Sequence, residues 1–143
     1  MSDPISLRLD DQLCFALYSA SRAVTAAYRP LLEELGLTYP QYLAMLVLWE
    51  RGSLPVKELG AALHLDYGTL SPLLKRLEAS GLVRRERSPE DERSVLVSVT
   101  SRGRDLEGRA ARVPGSIGHT LGLTVQEADR LRRQLRELAE RIV

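Results

Sequence analysis

Apolar residues recur at three- and four-residue steps through Leu9, Leu13, Leu17, Ala20, Val24, Ala27 and Leu31, which draws one stripe down a long helix. Asp10 is placed to cap its start, whereas Asp3-Pro4 upstream is a poor helix beginning. Pro30 predicts a kink or an early end near Arg29, and Gly36 closes the segment. A second helix opens at Thr38-Tyr39-Pro40-Gln41. Thr38 can cap there, Pro40 suits a first turn, and Gln41 completes a capping-box spacing. This helix runs to about Glu50 and stops at Gly52. Ser53-Leu54-Pro55 starts a third, which turns Val56, Leu59, Ala62 and Leu63 inward. The short turn His64-Leu65-Asp66 leads into a fourth helix that ends before Gly81 and buries Leu70, Leu73, Leu74 and Leu77. Pro72 leaves the start of that helix open, because proline fits a first turn but not a middle one.

The period then changes from helical to extended. Strands over residues 82–87 and 94–99 flank the polar, turn-rich loop Ser88-Pro89-Glu90-Asp91-Glu92, a hairpin pattern. Thr100 caps a fifth helix through Arg112, and Pro114-Gly115 with residues 118–122 reads as a loop. The last helix has its own capping box, Thr124 with Glu127, and a seam of Ala128, Leu131, Leu135, Leu138 and Ile142. The predicted fold is mainly α with a small β-hairpin wing. Two short helices, a tight turn and a basic hairpin in that order describe a winged helix-turn-helix. The first and last helices carry apolar stripes that such a compact unit cannot cover, so a two-fold dimer is expected. Residues 1–36 are then an N-terminal dimerisation helix, 37–100 the DNA-binding region and 101–143 further dimerisation helices, all in one integrated domain. No internal repeat or low-complexity tract interrupts this order.

At 143 residues the chain has one domain's worth of length, and 44% hydrophobic with 27% charged residues is the balance of an ordinary globular protein. No apolar run approaches the ~20 residues that span a bilayer. Met1-Ser2-Asp3-Pro4 lacks the basic start and apolar stretch of a secretory signal, so the expected compartment is the cytoplasm, with no membrane partner. A thiol there stays reduced until something oxidises it. The net charge of +1 says little, but Lys75, Arg76, Arg84, Arg85, Arg87 and Arg93 fall in one stretch. Glu78, Glu86, Glu90, Asp91 and Glu92 are interleaved with them, so charge alone fits a solvated face equally well.

Order along the chain favours DNA over a solvated face. On a wheel centred on Leu70, Leu73, Leu74 and Leu77, the opposite face of the fourth helix carries Gly68, Ser71, Pro72, Lys75 and Arg76, with Thr69 at its edge. Small hydroxyl residues early in a helix can approach base edges in a major groove, and longer cations one turn later reach bases or phosphates. At the hairpin tip, Arg93 suits the negative potential of a minor groove, and Asp91 could hold its side chain in place. The alternative is an exposed ion pair of negligible worth.

The run Leu77-Glu78-Ala79-Ser80-Gly81-Leu82-Val83-Arg84-Arg85, then Asp91-Glu92-Arg93-Ser94, Leu96-Val97-Ser98-Val99-Thr100 and Gly103, resembles the signature of MarR-type regulators. Gln12-Leu13-Cys14-Phe15-Ala16-Leu17-Tyr18 and Thr38-Tyr39-Pro40-Gln41-Tyr42-Leu43 resemble the organic hydroperoxide resistance regulators within that family. The similarity spans residues 9–114 and is weaker beyond. Cys14 is the only cysteine, so it is either a small core hydrophobe or a reactive thiol. Unpaired N–H groups at a helix start favour a thiolate, while Asp10 and Asp11 oppose one and no cation lies three or four residues away. The resemblance implies that Cys14 is the sensor, held by Tyr28 and Tyr39 of the partner subunit. Helix length agrees, because fourteen residues on one straight helix put Cys14 and Tyr28 ~21 Å apart. Only folding back at Pro30 would let them meet within one chain.

The function implied is repression by a reduced homodimer on a pseudo-palindromic operator in double-stranded DNA. An organic hydroperoxide would oxidise Cys14 to a sulfenic acid, which a small cellular thiol captures or further peroxide overoxidises. With no second cysteine, the chain departs from members that resolve by an intersubunit disulfide. Two rivals stand beside this reading. A thiol peroxidase needs an activating base or arginine and usually a resolving cysteine, neither of which is evident. A MarR-type repressor released by a small aromatic ligand would leave Cys14 incidental. His64 and His119 are isolated and no phosphate-loop or dinucleotide motif occurs, so neither metal nor cofactor is expected.

Overall fold

The computed structural model of the protein describes residues 5–143, so the readings made on Met1-Ser2-Asp3-Pro4 lie outside the described residues. A short 3-10 turn, Leu9–Asp11, precedes α1 (Leu13–Glu33). Asp10 belongs to that turn, and the residue at the head of α1 is Gln12 rather than Asp10. Gln12 points its amide backward, donating to the carbonyls of Ser6 and Arg8 at 2.9 Å each. Its side chain therefore organises the turn and makes no cap bond to α1.

Helix α1 passes through Pro30 instead of ending near Arg29. Pro30 stands in the last turn, where its missing N–H deprives a single carbonyl of a donor. Just beyond, the N–H groups of Leu35 and Leu37 both return to the Leu32 carbonyl at 2.9 and 3.0 Å. Gly36, at φ +71°, supplies the left-handed residue that this closure requires. Leu32, Leu35 and Leu37 are all buried, so packing holds the last turn that proline weakens.

Helix α2 (Tyr39–Arg51) begins with the capping box that its sequence spacing demands. The Gln41 N–H donates to Thr38 Oγ1 at 3.3 Å, and the Thr38 N–H donates to Gln41 Oε1 at 3.0 Å. Tyr42, Ala44, Met45, Leu48 and Trp49 sink its inner face into the core. Ser53–Pro55 then forms a strand, β1, and not the start of a helix. It pairs antiparallel with β3 (Val95–Val99), setting Leu54 opposite Val97 on the buried face. With β2 (Val83–Arg87) the order is β1-β3-β2, so the wing hairpin is part of a three-stranded sheet.

Helix α3 (Val56–Leu63) buries Val56, Leu59 and Gly60. Ala62 is exposed, contrary to its inward reading, and Leu63 is half-buried. At about 100° per residue Ala62 lies roughly 120° round the helix from Val56, off the inner face. His64 ends α3 at φ +56°, and Asp66 caps α4 (Tyr67–Ala79) by accepting the Thr69 N–H at 2.8 Å. The four leucines of α4 are buried as predicted, and Pro72 lies inside the helix.

Thr100 caps α5 (Ser101–Ala110), accepting the Gly103 N–H at 3.1 Å while its hydroxyl donates to the Gly81 carbonyl at 2.6 Å. Trp49 Nε1 donates to the Gly103 carbonyl at 2.9 Å, which ties α5 to α2. The stretch read as a loop around Pro114-Gly115 and residues 118–122 is largely a helix, α6 (Val113–Leu121). Pro114 falls in its first turn, where no N–H is needed, and Val113 and Ile117 are buried one turn apart. That burial outweighs the poor helix propensity of Gly115 and Gly118. Gly122 at φ +67° ends it, and α7 (Val125–Ile142) opens with the Thr124–Glu127 capping box. The chain divides into two compact units, one ending at Ala111 and one spanning Arg112–Val143. No helix among the described residues is long and apolar enough to cross a membrane.

Candidate sensor and nucleic-acid interface

Cys14 is the second residue of α1 and is exposed. Because α1 starts at Leu13, Asp10 and Asp11 sit in the preceding turn and no acid occupies the helix's own first turn. Asp11 is further engaged by the Ser6 hydroxyl, which donates to it at 2.6 Å. The free N–H groups of the helix start therefore act on Cys14 without an acid among them.

Tyr28 and Tyr39 come together from α1 and α2, with ring centroids 4.7 Å apart and planes tilted by 44°. Tyr42 stands 5.7 Å from Tyr28 and leans edge-on against Trp49 at 6.4 Å, so the buried core fixes the pair from below. Burial, and then the neighbouring Tyr39 and Tyr42 hydroxyls, push Tyr28 up to about 12. Burial and Tyr39 raise Tyr42 as well. Such a phenol stays protonated at neutral pH and keeps its hydrogen-bond donor. Since α1 runs unbroken from Leu13 to Glu33, Cys14 and Tyr28 of one chain stand about 21 Å apart and cannot meet.

The predicted DNA-contacting residues divide by what already holds them. Thr69, Lys75 and Arg76 are exposed on α4, and Ser71 is half-buried. Arg84 is exposed and pairs with Glu86 at 3.2 Å. Arg85 is engaged within the protein: its backbone N–H donates to Glu78 Oε2 at 3.0 Å, and its Nε and Nη2 both reach Oε1 at 3.2 Å. The Arg85 backbone bond, and then its guanidinium, hold the Glu78 carboxyl below the usual carboxylate range. This contact fastens the end of α4 to β2. At the wing tip Asp91 accepts the backbone N–H of Arg93 at 3.0 Å, and Arg87 Nη1 donates to the Glu92 carbonyl at 3.0 Å. Asp91 thus shapes the turn and leaves the Arg93 side chain exposed, where sequence suggested a side-chain pair.

A family model described as transcriptional regulator SarA/Rot matches residues 26–108. The chain is 52% identical over 127 residues to the organic hydroperoxide resistance transcriptional regulator of Bacillus subtilis, covering 89% of this chain and 84% of that one. The chain belongs to the organic hydroperoxide resistance branch of the MarR-type regulators. It is 55% identical over 125 residues to the regulator TtmR of Methylorubrum extorquens, covering 87% of this chain and 63% of that longer one. Among solved structures it resembles reduced AbfR bound to DNA, with a TM-score of 0.80, 36% identity and coverage of 95% and 93%. The overoxidised AbfR–DNA complex matches at 0.78, with 34% identity and 96% of both chains covered. MarR itself matches at 0.74, with 29% identity and coverage of 92% and 98%.

As a MarR-type regulator the chain is a transcription factor and not an enzyme, which sets the peroxidase reading aside. Among the described residues no cluster of acids, histidines or thiols could hold a metal. Two residues that line a groove with Arg93 and Ser94 escaped sequence reasoning. Tyr67, the first residue of α4, is 70% exposed. Its spacing to Leu70, Leu74 and Leu77 follows the buried stripe, so periodicity assigns it to the core. Lys57 is an isolated cation on α3, outside the cluster that drew attention to the wing.

Proposed function

We propose that the protein is a homodimeric, DNA-binding repressor that senses organic hydroperoxides through Cys14 and then releases its operator. The observation that carries the reading is the Tyr28–Tyr39 pair. The rings are fixed 4.7 Å apart, Tyr28 keeps its proton, and the pair is out of reach of its own chain's thiol. In a two-fold dimer with antiparallel first helices, the Cys14 sulfur of one subunit meets Tyr28 and Tyr39 of the partner subunit. Each phenol then donates to the thiolate. The thiolate attacks one peroxide oxygen and the O–O bond breaks. Sulfur is oxidised by two electrons to the sulfenic acid, and the other oxygen leaves as the alcohol after taking a proton. A small cellular thiol next condenses with the sulfenic acid, releasing water and leaving a mixed disulfide, or a second peroxide overoxidises it. The mixed disulfide loses the charged sulfur acceptor that both phenols served, and overoxidation moves the negative charge from the sulfur onto added oxygens, away from the place the phenols were set to serve. At ~1.5–3 kcal/mol per charge-assisted bond, this loss can bias the dimer away from its DNA-competent form by tenfold or more.

Helices α1 and α7 serve as dimerisation elements in this reading, and α4 reads a major groove with Thr69, Ser71, Lys75 and Arg76. Arg93 enters the adjacent minor groove, Arg84 reaches phosphate after parting from Glu86, and Arg85 acts from behind by holding α4 to β2. The cytoplasm is the compartment that suits a reduced thiol. Family membership favours this reading over release by a small aromatic ligand. The test is operator binding by wild type and Cys14→Ser, with and without cumene hydroperoxide and with and without an added thiol. Wild type should dissociate and Cys14→Ser should stay bound. Dissociation of Cys14→Ser by peroxide would refute the mechanism.

A further inference from the structure

A groove of about 490 Å³ lies between the start of α4 and the wing, bounded by Lys57, Tyr67, Arg93 and Ser94 over a floor that includes Val56 and Leu70. Its rim offers two cations, an aromatic hydroxyl and a serine hydroxyl. No acidic side chain lines it among the described residues. Lys57 and Tyr67 are exposed, and their side chains make no ion pair or hydrogen bond that would occupy them among the described residues. We propose that this groove holds one sugar–phosphate strand of the DNA, with Lys57 and Tyr67 as phosphate ligands beside Arg93, whose side chain passes on into the minor groove. The inference rests on the DNA-binding reading above.

The topology places the groove where such a strand must run. If α4 occupies a major groove and the wing tip the neighbouring minor groove, the backbone ridge separating them crosses the surface between α4 and β3. The side chains match that occupant. Phosphate oxygens accept from Lys57 Nζ and the Tyr67 and Ser94 hydroxyls, while the apolar floor faces the C–H edge of the deoxyribose. A small organic anion would satisfy the cations equally, but the polar groups are spread over α3 (Lys57), the start of α4 (Tyr67) and the wing (Arg93, Ser94), which suits a strand running past all three. Tyr67 consequently contributes affinity on every sequence and not recognition of one base.

The test needs no knowledge of the operator, because phosphate contacts operate on any duplex. Binding of the reduced dimer to a random-sequence duplex is titrated against salt for wild type, Lys57→Gln and Tyr67→Phe. Each lost phosphate charge contact should lower the log–log salt slope by about 0.9, hence by about 2 for Lys57→Gln in the dimer. Tyr67→Phe should weaken binding at least about tenfold with the slope unchanged, since it removes a hydrogen bond and no charge. Both side chains are exposed, so both variants should keep the wild-type circular dichroism and melting curve. Wild-type binding with unchanged slope in Lys57→Gln and unchanged affinity in Tyr67→Phe would overturn the strand assignment while sparing the repressor reading. A wild type that binds no duplex would overturn both. If an aromatic carboxylate at modest concentration competed with the duplex in wild type but not in Lys57→Gln, with the salt slope unchanged, the groove would be a small-anion site and the proposal would fall.

Discussion

In the proposed sensor, the surroundings of Tyr28 decide whether it can serve as a donor. A phenol that donates to a thiolate must hold its proton through the whole physiological range. Burial, reinforced by Tyr39 and Tyr42, does this by pushing Tyr28 up to about 12 from an ordinary value of 10.0. The same shift has a thermodynamic signature. Below pH 10 the phenol is neutral in both folded and unfolded chains and its effect on stability is flat. As pH rises from 10 through about 12, the unfolded tyrosine ionises while the folded one resists, so stability is lost across that window. Denaturant midpoints measured against pH should fall more steeply there for wild type than for Tyr28→Phe, which keeps the ring and lacks the ionisation. Coincident profiles would show that the site does not hold the phenol neutral. Tyr28→Phe should also slow oxidation of Cys14 by cumene hydroperoxide several-fold, read as sulfenic acid trapped by dimedone.

At the scale of elements, helix α5 is seated by a glycine. A Cβ at Gly103 would collide with the Leu82 carbonyl and would stand 2.6 Å from Val99 Cγ2, so neither backbone nor branched side chain can yield cheaply. Gly103→Ala should lower stability by about 1–3 kcal/mol, seen as a Tm several degrees lower. A melting curve like wild type would mean that α5 can shift freely. The Glu78–Arg85 latch gives a second expectation. Glu78 is held below its ordinary value of 4.5, so its contribution is present above that pH and disappears as pH falls through the depressed value. Glu78→Gln should therefore cost about 1 kcal/mol at pH 7 and less as acid removes the same interaction from wild type. Elements of this kind differ in how legible they are in sequence. The capping boxes of α2 and α7 and the leucines of α4 are local patterns, and each appears where its residues dictate. Strand β1 has three residues, too few to show alternation, and exists because Leu54 finds Val97 across the sheet. Helix α6 has the glycines and proline of a loop and is helical where Val113 and Ile117 are buried. Arg85 and Arg93 look alike as cations of the wing, and only the position of Glu78 separates the anchored one from the exposed one.

On the scale of the whole molecule, the two ends of the chain need a partner surface. Helix α7 has eighteen residues and not one buried side chain, although its seam is apolar. Leu131 and Leu135 are 45% and 41% exposed, and on α1 Leu13 is 67% exposed beside Cys14. An isolated helix of this length is marginal in water, so its stability must come from packing against an apolar face. A second copy of the chain supplies such faces symmetrically, and under the proposed function it also supplies the tyrosines that Cys14 cannot reach in its own chain. Dimerisation and sensing should then fail together. The double variant Leu131→Glu, Leu135→Glu places four like charges in a two-fold interface and should sediment as a monomer at micromolar concentration, where wild type is a dimer. Its Cys14 should lose the phenol donors and react with cumene hydroperoxide at the slow rate of a free thiol, while the first compact unit keeps its own fold. DNA binding should weaken as well, because one subunit grips a single half-site. A monomer that still reacted at the wild-type rate would place the activating groups within one chain, and the cross-subunit sensor would have to be abandoned.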